Sequence, residues 1–199
     1  MSAALSAGLM GLALGVRHAF EPDHLAAVGT FVPQNTSPRR AAAMGALWGS
    51  GHALALIAFG GVLLSFRAEV PSWLDATLEG SVGVILIVLG LRTMRRSRTE
   101  AQKTKSRWRP FTVGVAHGAA GTGAAVLLAS AAMNSTGLGI LFLGLFGVGA
   151  TVGMAAIAGL VGVPVHRAPR AIREGWITMG LGAISIGIGI WWLINSLMA

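Results

Sequence analysis

Six stretches of this 199-residue chain run for at least about 18 residues with few charges, enough to cross a hydrocarbon core of roughly 30 Å as helices. They extend from about Ala3 to Val32, then Ala41–Phe66, Ala76–Met94, Pro110–Met133, Leu138–Val165 and Trp176–Met198, the first being interrupted by polar residues from Arg17 to His24. Strands are excluded, because the runs are too long and lack period-two alternation. Hydrophobic residues make up 54% of the chain and charged ones 11%, less than half the roughly 25% usual for soluble domains. A soluble domain of this size could not keep so much apolar surface from water. A disordered chain and an ordinary soluble enzyme are excluded, and the expected fold is an all-α integral membrane protein with six transmembrane helices. The chain has no cysteine, which removes disulfides, thiolate catalysis and thiolate metal ligands.

The net charge is +8, which in a soluble protein would suggest nucleic acid. Here the 15 basic residues sort by loop instead. Arg39 and Arg40 follow the first span, eight residues cluster from Arg92 to Arg109, and Arg167, Arg170 and Arg173 separate the last two spans. Only Arg67 lies on the opposite side, and Arg17 sits inside a span. The positive-inside rule then predicts a multi-pass protein of the cytoplasmic membrane, with basic loops in the cytoplasm and both termini outside. The run 92–109 reads as a topology signal beside anionic lipid, and no nucleic-acid partner is needed. The N-terminus lacks the basic region of a signal peptide and is expected to stay in the mature protein. Trp176, Trp191 and Trp192, toward the ends of the last span, read as interfacial anchors.

The two halves resemble each other. Gly15-Val16-Arg17-His18-Ala19 matches Gly114-Val115-Ala116-His117-Gly118, and Leu47-Trp48-Gly49-Ser50-Gly51 matches Leu145-Phe146-Gly147-Val148-Gly149. Glu79-Gly80 likewise matches Glu174-Gly175, so the three offsets are 99, 98 and 95 residues in the same order. Each half holds three spans, an odd number, so the second enters from the opposite side. The expectation is a single transmembrane domain, 1–199, built as two inverted three-helix repeats of about 1–99 and 100–199. Transporters use this plan, with the substrate site near the midplane. Glycines four apart, at Gly11/Gly15, Gly45/Gly49, Gly114/Gly118 and Gly149/Gly153, read as close helix contacts.

The first span carries Arg17-His18-Ala19-Phe20-Glu21-Pro22-Asp23-His24, five of whose eight residues are ionisable. Each charge at the bilayer centre costs roughly 2.5–3.5 kcal/mol on insertion scales, so such residues are functional by default. In an unbroken helix His18 and His24 would point about 120° apart. Pro22 has no N–H for the His18 carbonyl, so the helix can kink there and turn His18, Asp23 and His24 toward one point. Arg17 is spaced to pair with Glu21. His52, after Gly51, and His117, before Gly118, add an imidazole each from spans two and four. His166 falls in a cytoplasmic loop and reads as ordinary. Imidazoles with one carboxylate and no thiolate suit nickel, cobalt, copper or zinc, and suit calcium or magnesium poorly. Glu21 and Asp23 can serve as ligands or as partners that orient the imidazoles. A proton relay through the histidines is compatible with the same site.

The motif Arg17-His18-Ala19-Phe20-Glu21-Pro22-Asp23-His24 resembles the R-H-A-x-D-A-D-H signature of the nickel/cobalt transporter family, whose core is H-x4-D-H. Gly51-His52 is similar to a G-H element of that family. His117-Gly118-Ala119-Ala120-Gly121-Thr122 resembles the H-G-x-x-G-[ST] stretch of its short branch, the urease accessory membrane proteins of type H. Glu21 and Pro22 stand where the signature has Asp and Ala. The resemblance implies a secondary transporter that moves Ni2+ or Co2+ across the cytoplasmic membrane, with uptake the favoured direction. His18, Asp23 and His24 would bind the ion, with His52 and His117 as further ligands or relays.

No nucleotide-binding G-x-x-x-x-G-K-[ST] is present, so energy would come from a gradient, the membrane potential or a separate ATPase. The metal is then substrate, no cofactor is expected to be resident, and the protein is not expected to be an enzyme. The partners expected are the divalent ion and the bilayer, with a second copy or metal-enzyme maturation proteins as further candidates. Two other readings compete. An intramembrane zinc-dependent hydrolase would use the same histidines with Glu21 as base. An exporter of another small solute would want basic groups at midplane, where only Arg17 is available.

Overall fold

A computed structural model describes residues 2–34, 37–66, 71–95, 108–120, 129, 133 and 135–198. Among the described residues all regular structure is helical. Helix α1 (Ala3–His18) starts where the Ser2 hydroxyl accepts from the Leu5 N–H, and α2 (Pro22–Phe31) follows after a three-residue break. A 3-10 turn (Val32–Gln34) leads toward α3 (Pro38–Phe66), which is followed by α4 (Ser72–Arg95) and α5 (Arg109–Ala120). Ser135 caps α6 (Thr136–Arg167) by accepting from the Leu138 N–H. One helical turn (Arg170–Ile172) and a π-helical turn (Arg173–Ile177) then run into α7 (Thr178–Met198).

Among the described residues four helical segments are long and apolar enough to cross a membrane: Pro38–Phe66, Ser72–Arg95, Thr136–Arg167 and Arg173–Met198. Helices α1 and α2 make a fifth if their 60° bend lies within one span. Of the remaining expected span, Pro110–Met133, the stretch through Ala120 is helical, and residues 121–128 lie outside the described residues. The outward side chains are apolar as well, including Leu54, Phe59, Leu160 and Ile184, which fits lipid as the surrounding solvent. The described residues are those of a membrane protein whose regular structure is helical. Its helices outrun the apolar stretches. Arg39 and Arg40 belong to the first turn of α3, Arg92 and Arg95 to the last turn of α4, and His166 and Arg167 to the last turn of α6. His166 is therefore helical, not in a loop, and its Nδ1 lies 2.7 Å from the Gly162 carbonyl. The rest of the basic run, 96–107, lies outside the described residues.

Packing joins the halves to each other. Helix α1 lies along α6, α3 along both α5 and α6, and α4 along α7. Glycine makes these approaches possible. A Cβ on Gly15 would strike the Phe146 carbonyl, and one on Gly114 would strike the Trp48 carbonyl. Gly149 faces the Leu12 carbonyl in the same way, and Gly51 the Phe111 carbonyl. These contacts are reciprocal: exchanging residues 98 or 99 apart turns each into its counterpart. The α4–α7 seam obeys the same exchange: a Cβ on Gly83 would lie 2.6 Å from the Gly189 carbonyl oxygen, and one on Gly182 would lie 3.0 Å from that of Gly90. Between them the Ser185 hydroxyl donates to the Leu86 carbonyl at 2.9 Å, and these two residues are 99 apart. The Glu79/Glu174 match, with its offset of 95, is one helical turn out of this register. Where lipid supplies no hydrophobic drive, such backbone-close seams hold helices by dispersion and geometry.

Candidate metal centre

The site begins at the break between α1 and α2. The Phe20 N–H donates to the Arg17 carbonyl and the Glu21 N–H to the His18 carbonyl, each at 3.0 Å. The carbonyl that Pro22 cannot serve is thus satisfied one residue earlier, and the helix closes in a tight turn. Glu21 is extended, at φ −65° and ψ 147°, as a residue before proline prefers. Pro22 occupies the first turn of α2, where a missing N–H costs nothing. The outcome is two helices at 60°, with His18 ending one and Asp23 and His24 opening the other.

That bend brings the His18 and His24 ring centroids to 4.3 Å. His52, from the middle of α3, lies 5.3 Å from the His18 ring and 5.2 Å from that of His24. His117 of α5 lies 4.7 Å from the His24 ring. Asp23 ties the group together, its Oδ1 3.0 Å from His24 Nδ1 and its Oδ2 2.8 Å from His117 Nε2. Asp23, His24, His52 and His117 are all buried. All five sequence-derived ligand candidates therefore meet at one place. Gly118 makes the meeting of α3 and α5 possible, since a Cβ there would strike the His52 carbonyl.

Several buried nitrogens have no hydrogen-bond partner among the described residues: Nε2 of His18 and His24, both ring nitrogens of His52, and Nδ1 of His117. An unsatisfied buried polar group costs about 1–3 kcal/mol. Four such histidines, from four helices, fit a ligand held among them. His18, His24 and His52 form one set whose donor atoms lie within 4.8 Å of one another, and Asp23, His24 and His117 form a second. Neutral imidazoles with a carboxylate fit a borderline divalent ion, and a carboxylate bonded to a histidine's other nitrogen fixes its tautomer and orientation.

A cavity of about 170 Å3 reaches this cluster, with Arg17, Glu21, Glu79 and Trp192 among its lining residues. Glu21 keeps half of its side chain exposed and bonds His18 Nδ1 at 2.9 Å. Among the described residues no ion pair joins Arg17 to Glu21, because the break removes the helical spacing that would have paired them. Glu79 was legible only as a repeat landmark and Trp192 only as an anchor. Trp192 is half-buried and faces the cavity, whereas Trp176 and Trp191 are exposed as expected. Trp48 and Phe146, matched in the repeat, flank the cluster. Trp48 lies 5.3 Å from the His24 ring, and Phe146 lies 5.1 Å from that of His18.

Fold and site together define a helical membrane protein with a histidine and carboxylate cluster on a broken helix. Comparison with known proteins places it more narrowly. The chain is 30% identical to the urease accessory protein UreH of Bacillus sp. (strain TB-90) over 96% of its own length and 92% of that protein's. It belongs to the UreH family. It is also similar to two chloroplast proteins of Arabidopsis thaliana, FOR GROWTH AND FERTILITY 1 and 2, at 27% and 25% identity. It covers 94% of itself in both matches but only 59% and 55% of those longer proteins. No family model and no solved structure matches the chain.

Proposed function

We propose that the protein is a secondary permease that takes up Ni2+ or Co2+ across the cytoplasmic membrane and supplies it for urease maturation. The observation that carries this reading is the convergence of His18, His24 and His52 from three helix segments, with unsatisfied nitrogens, on a cavity inside the bundle. A resident structural ion would be served by a closed site; a transported ion needs an approach, which the cavity supplies. The reciprocal seams support an inverted repeat, and hence alternating access about a midplane site. Likeness to a urease accessory protein supports nickel as the cargo and urease as its destination.

In this reading the ion leaves water at the rim, where Glu21 and Glu79 offer negative charge, and exchanges its hydration for imidazole nitrogens. Asp23 holds His24 and His117 in place through its two oxygens. The test is total cell nickel, cobalt and zinc by mass spectrometry, with the wild-type chain and with His18→Ala plus His24→Ala, both shown to reach the membrane. A nickel or cobalt rise that vanishes in the variant is expected. A fall that vanishes would make the protein an exporter. No change in any metal would sink the permease reading and bring a membrane hydrolase forward.

A further inference from the structure

Resting on the permease reading, we propose that the cluster is two ion stations joined at His24. An ion bound at roughly 2.1 Å to every donor holds those donors within about 4.2 Å of one another. The five candidate residues fall instead into two sets of three, each with its donor atoms within 4.8 Å. His24 alone belongs to both. Its Nδ1 faces Asp23 at 3.0 Å, and its Nε2, without a hydrogen-bond partner among the described residues, faces away. The two nitrogens lie on opposite sides of an imidazole ring, so one side chain presents a ligand to each station.

The stations differ in depth and in chemistry. All five residues line the cavity, but His18 is the most exposed of them at 16% and is bonded to half-exposed Glu21, which makes its set the outer one. Asp23 and His117, with 6% and 2% of their side chains exposed, bring no such exposed member to theirs, which makes it the inner one; His52, fully buried, is the deep member of the outer set. The outer set is all nitrogen and discriminates against magnesium and calcium. The inner set replaces one nitrogen with a carboxylate, which offsets the charge of a dication that has left water behind. An ion in the inner set takes the place of the protons that now join Asp23 to His24 and His117. With Asp23 ionised, His24 Nδ1 and His117 Nε2 carry the N–H groups that face it, and each proton shifts to the same ring's other nitrogen, which has no hydrogen-bond partner among the described residues. Both rings stay neutral and no proton is released. His24 Nε2, now protonated, leaves the outer station, so the stations fill one at a time. The path is Glu21, then His18 with His24 and His52, then His24 with Asp23 and His117.

The test is Ni2+ binding to purified protein in detergent, with the ligand shell read by X-ray absorption, and Ni2+ flux into proteoliposomes, for wild type, His52→Ala and His117→Ala. Loss of His52 should weaken binding at least about tenfold. Loss of His117 should leave binding within about threefold and an all-nitrogen shell, yet lower flux at least about tenfold. His117→Asn, which keeps an N–H for Asp23, should behave like His117→Ala and covers the case in which the alanine variant does not fold. If His117 variants lose binding as fully as His52→Ala, the cluster is one site; if they keep wild-type flux, the inner station does not lie on the path. Either result overturns the proposal. An absence of flux with wild type would instead overturn the permease reading, and the binding titrations would still decide between one station and two.

Discussion

His18 and His117 occupy matching places in the two halves. Each follows by three residues a glycine pressed against a carbonyl of the facing helix, Gly15 on Phe146 and Gly114 on Trp48. Each lies beside the aromatic ring of that same residue, at 5.1 Å for His18 and 5.6 Å for His117. Past the histidine the halves part. Helix α1 stops and re-forms at Pro22, whereas α5 continues to Ala120. Both histidines line the cavity, but His18 keeps 16% of its side chain exposed beside Glu21, whereas His117 is buried against Asp23. The seam determines where a histidine can stand, and the residues that follow it determine what the histidine does.

The largest effect should come from His24, which both sets share. His24→Ala is expected to lower Ni2+ affinity by more than about 100-fold and reduce flux to background, measured by equilibrium dialysis and in proteoliposomes. Appreciable flux in that variant would separate the two histidines from any common path. Next come the seams. Gly15→Ala and Gly114→Ala each drive a Cβ into backbone that cannot rotate away, and each should cost about 1–3 kcal/mol or more, seen as a lower unfolding temperature in detergent. The two losses should agree within about 1 kcal/mol, while Gly144→Ala, which has nothing within 4 Å, should change little. Unequal losses would break the equivalence of the halves.

Pro22→Ala makes α1 more like α5. With the break weakened, His24 should turn away from His18, and Ni2+ affinity should fall about tenfold at unchanged expression. An unchanged affinity would show that Asp23 and its partners hold the bend without proline. The smallest effect belongs to Glu21. Glu21→Gln keeps a hydrogen bond to His18 but removes the charge, and the Ni2+ concentration for half-maximal uptake should rise about threefold. A loss as large as that of His24→Ala would make Glu21 a ligand in its own right.

The members of the cluster were legible because an ionisable residue is conspicuous in an apolar stretch: His18, Asp23, His24, His52 and His117 needed only to be noticed. The glycine seams were legible from their spacing of four. What stayed hidden has physical causes. Arg17 and Glu21 look paired only on an unbroken helix, and the chain breaks between them. His166 looks like a loop residue because helices continue past the apolar stretch into the headgroup region, where hydropathy falls but hydrogen bonding does not. The inward side of α7 could not be read, since lipid and core both accept apolar side chains, so Trp192 passed for an anchor. The cavity position of Glu79 needed the packing of α4 against α7.

The break also sets a local field. A helix carries roughly half a positive charge at its N-terminus and half a negative one at its C-terminus. At residues 19–21 the carbonyl end of α1 and the amide end of α2 lie side by side at the cluster. The two ends largely cancel, so the break supplies flexibility of placement without adding much attraction or repulsion for a cation. Asp23, in the first turn of α2, tips the balance to negative. The backbone is thereby made nearly neutral toward the ion, and its binding strength is left to side chains that a single substitution can retune.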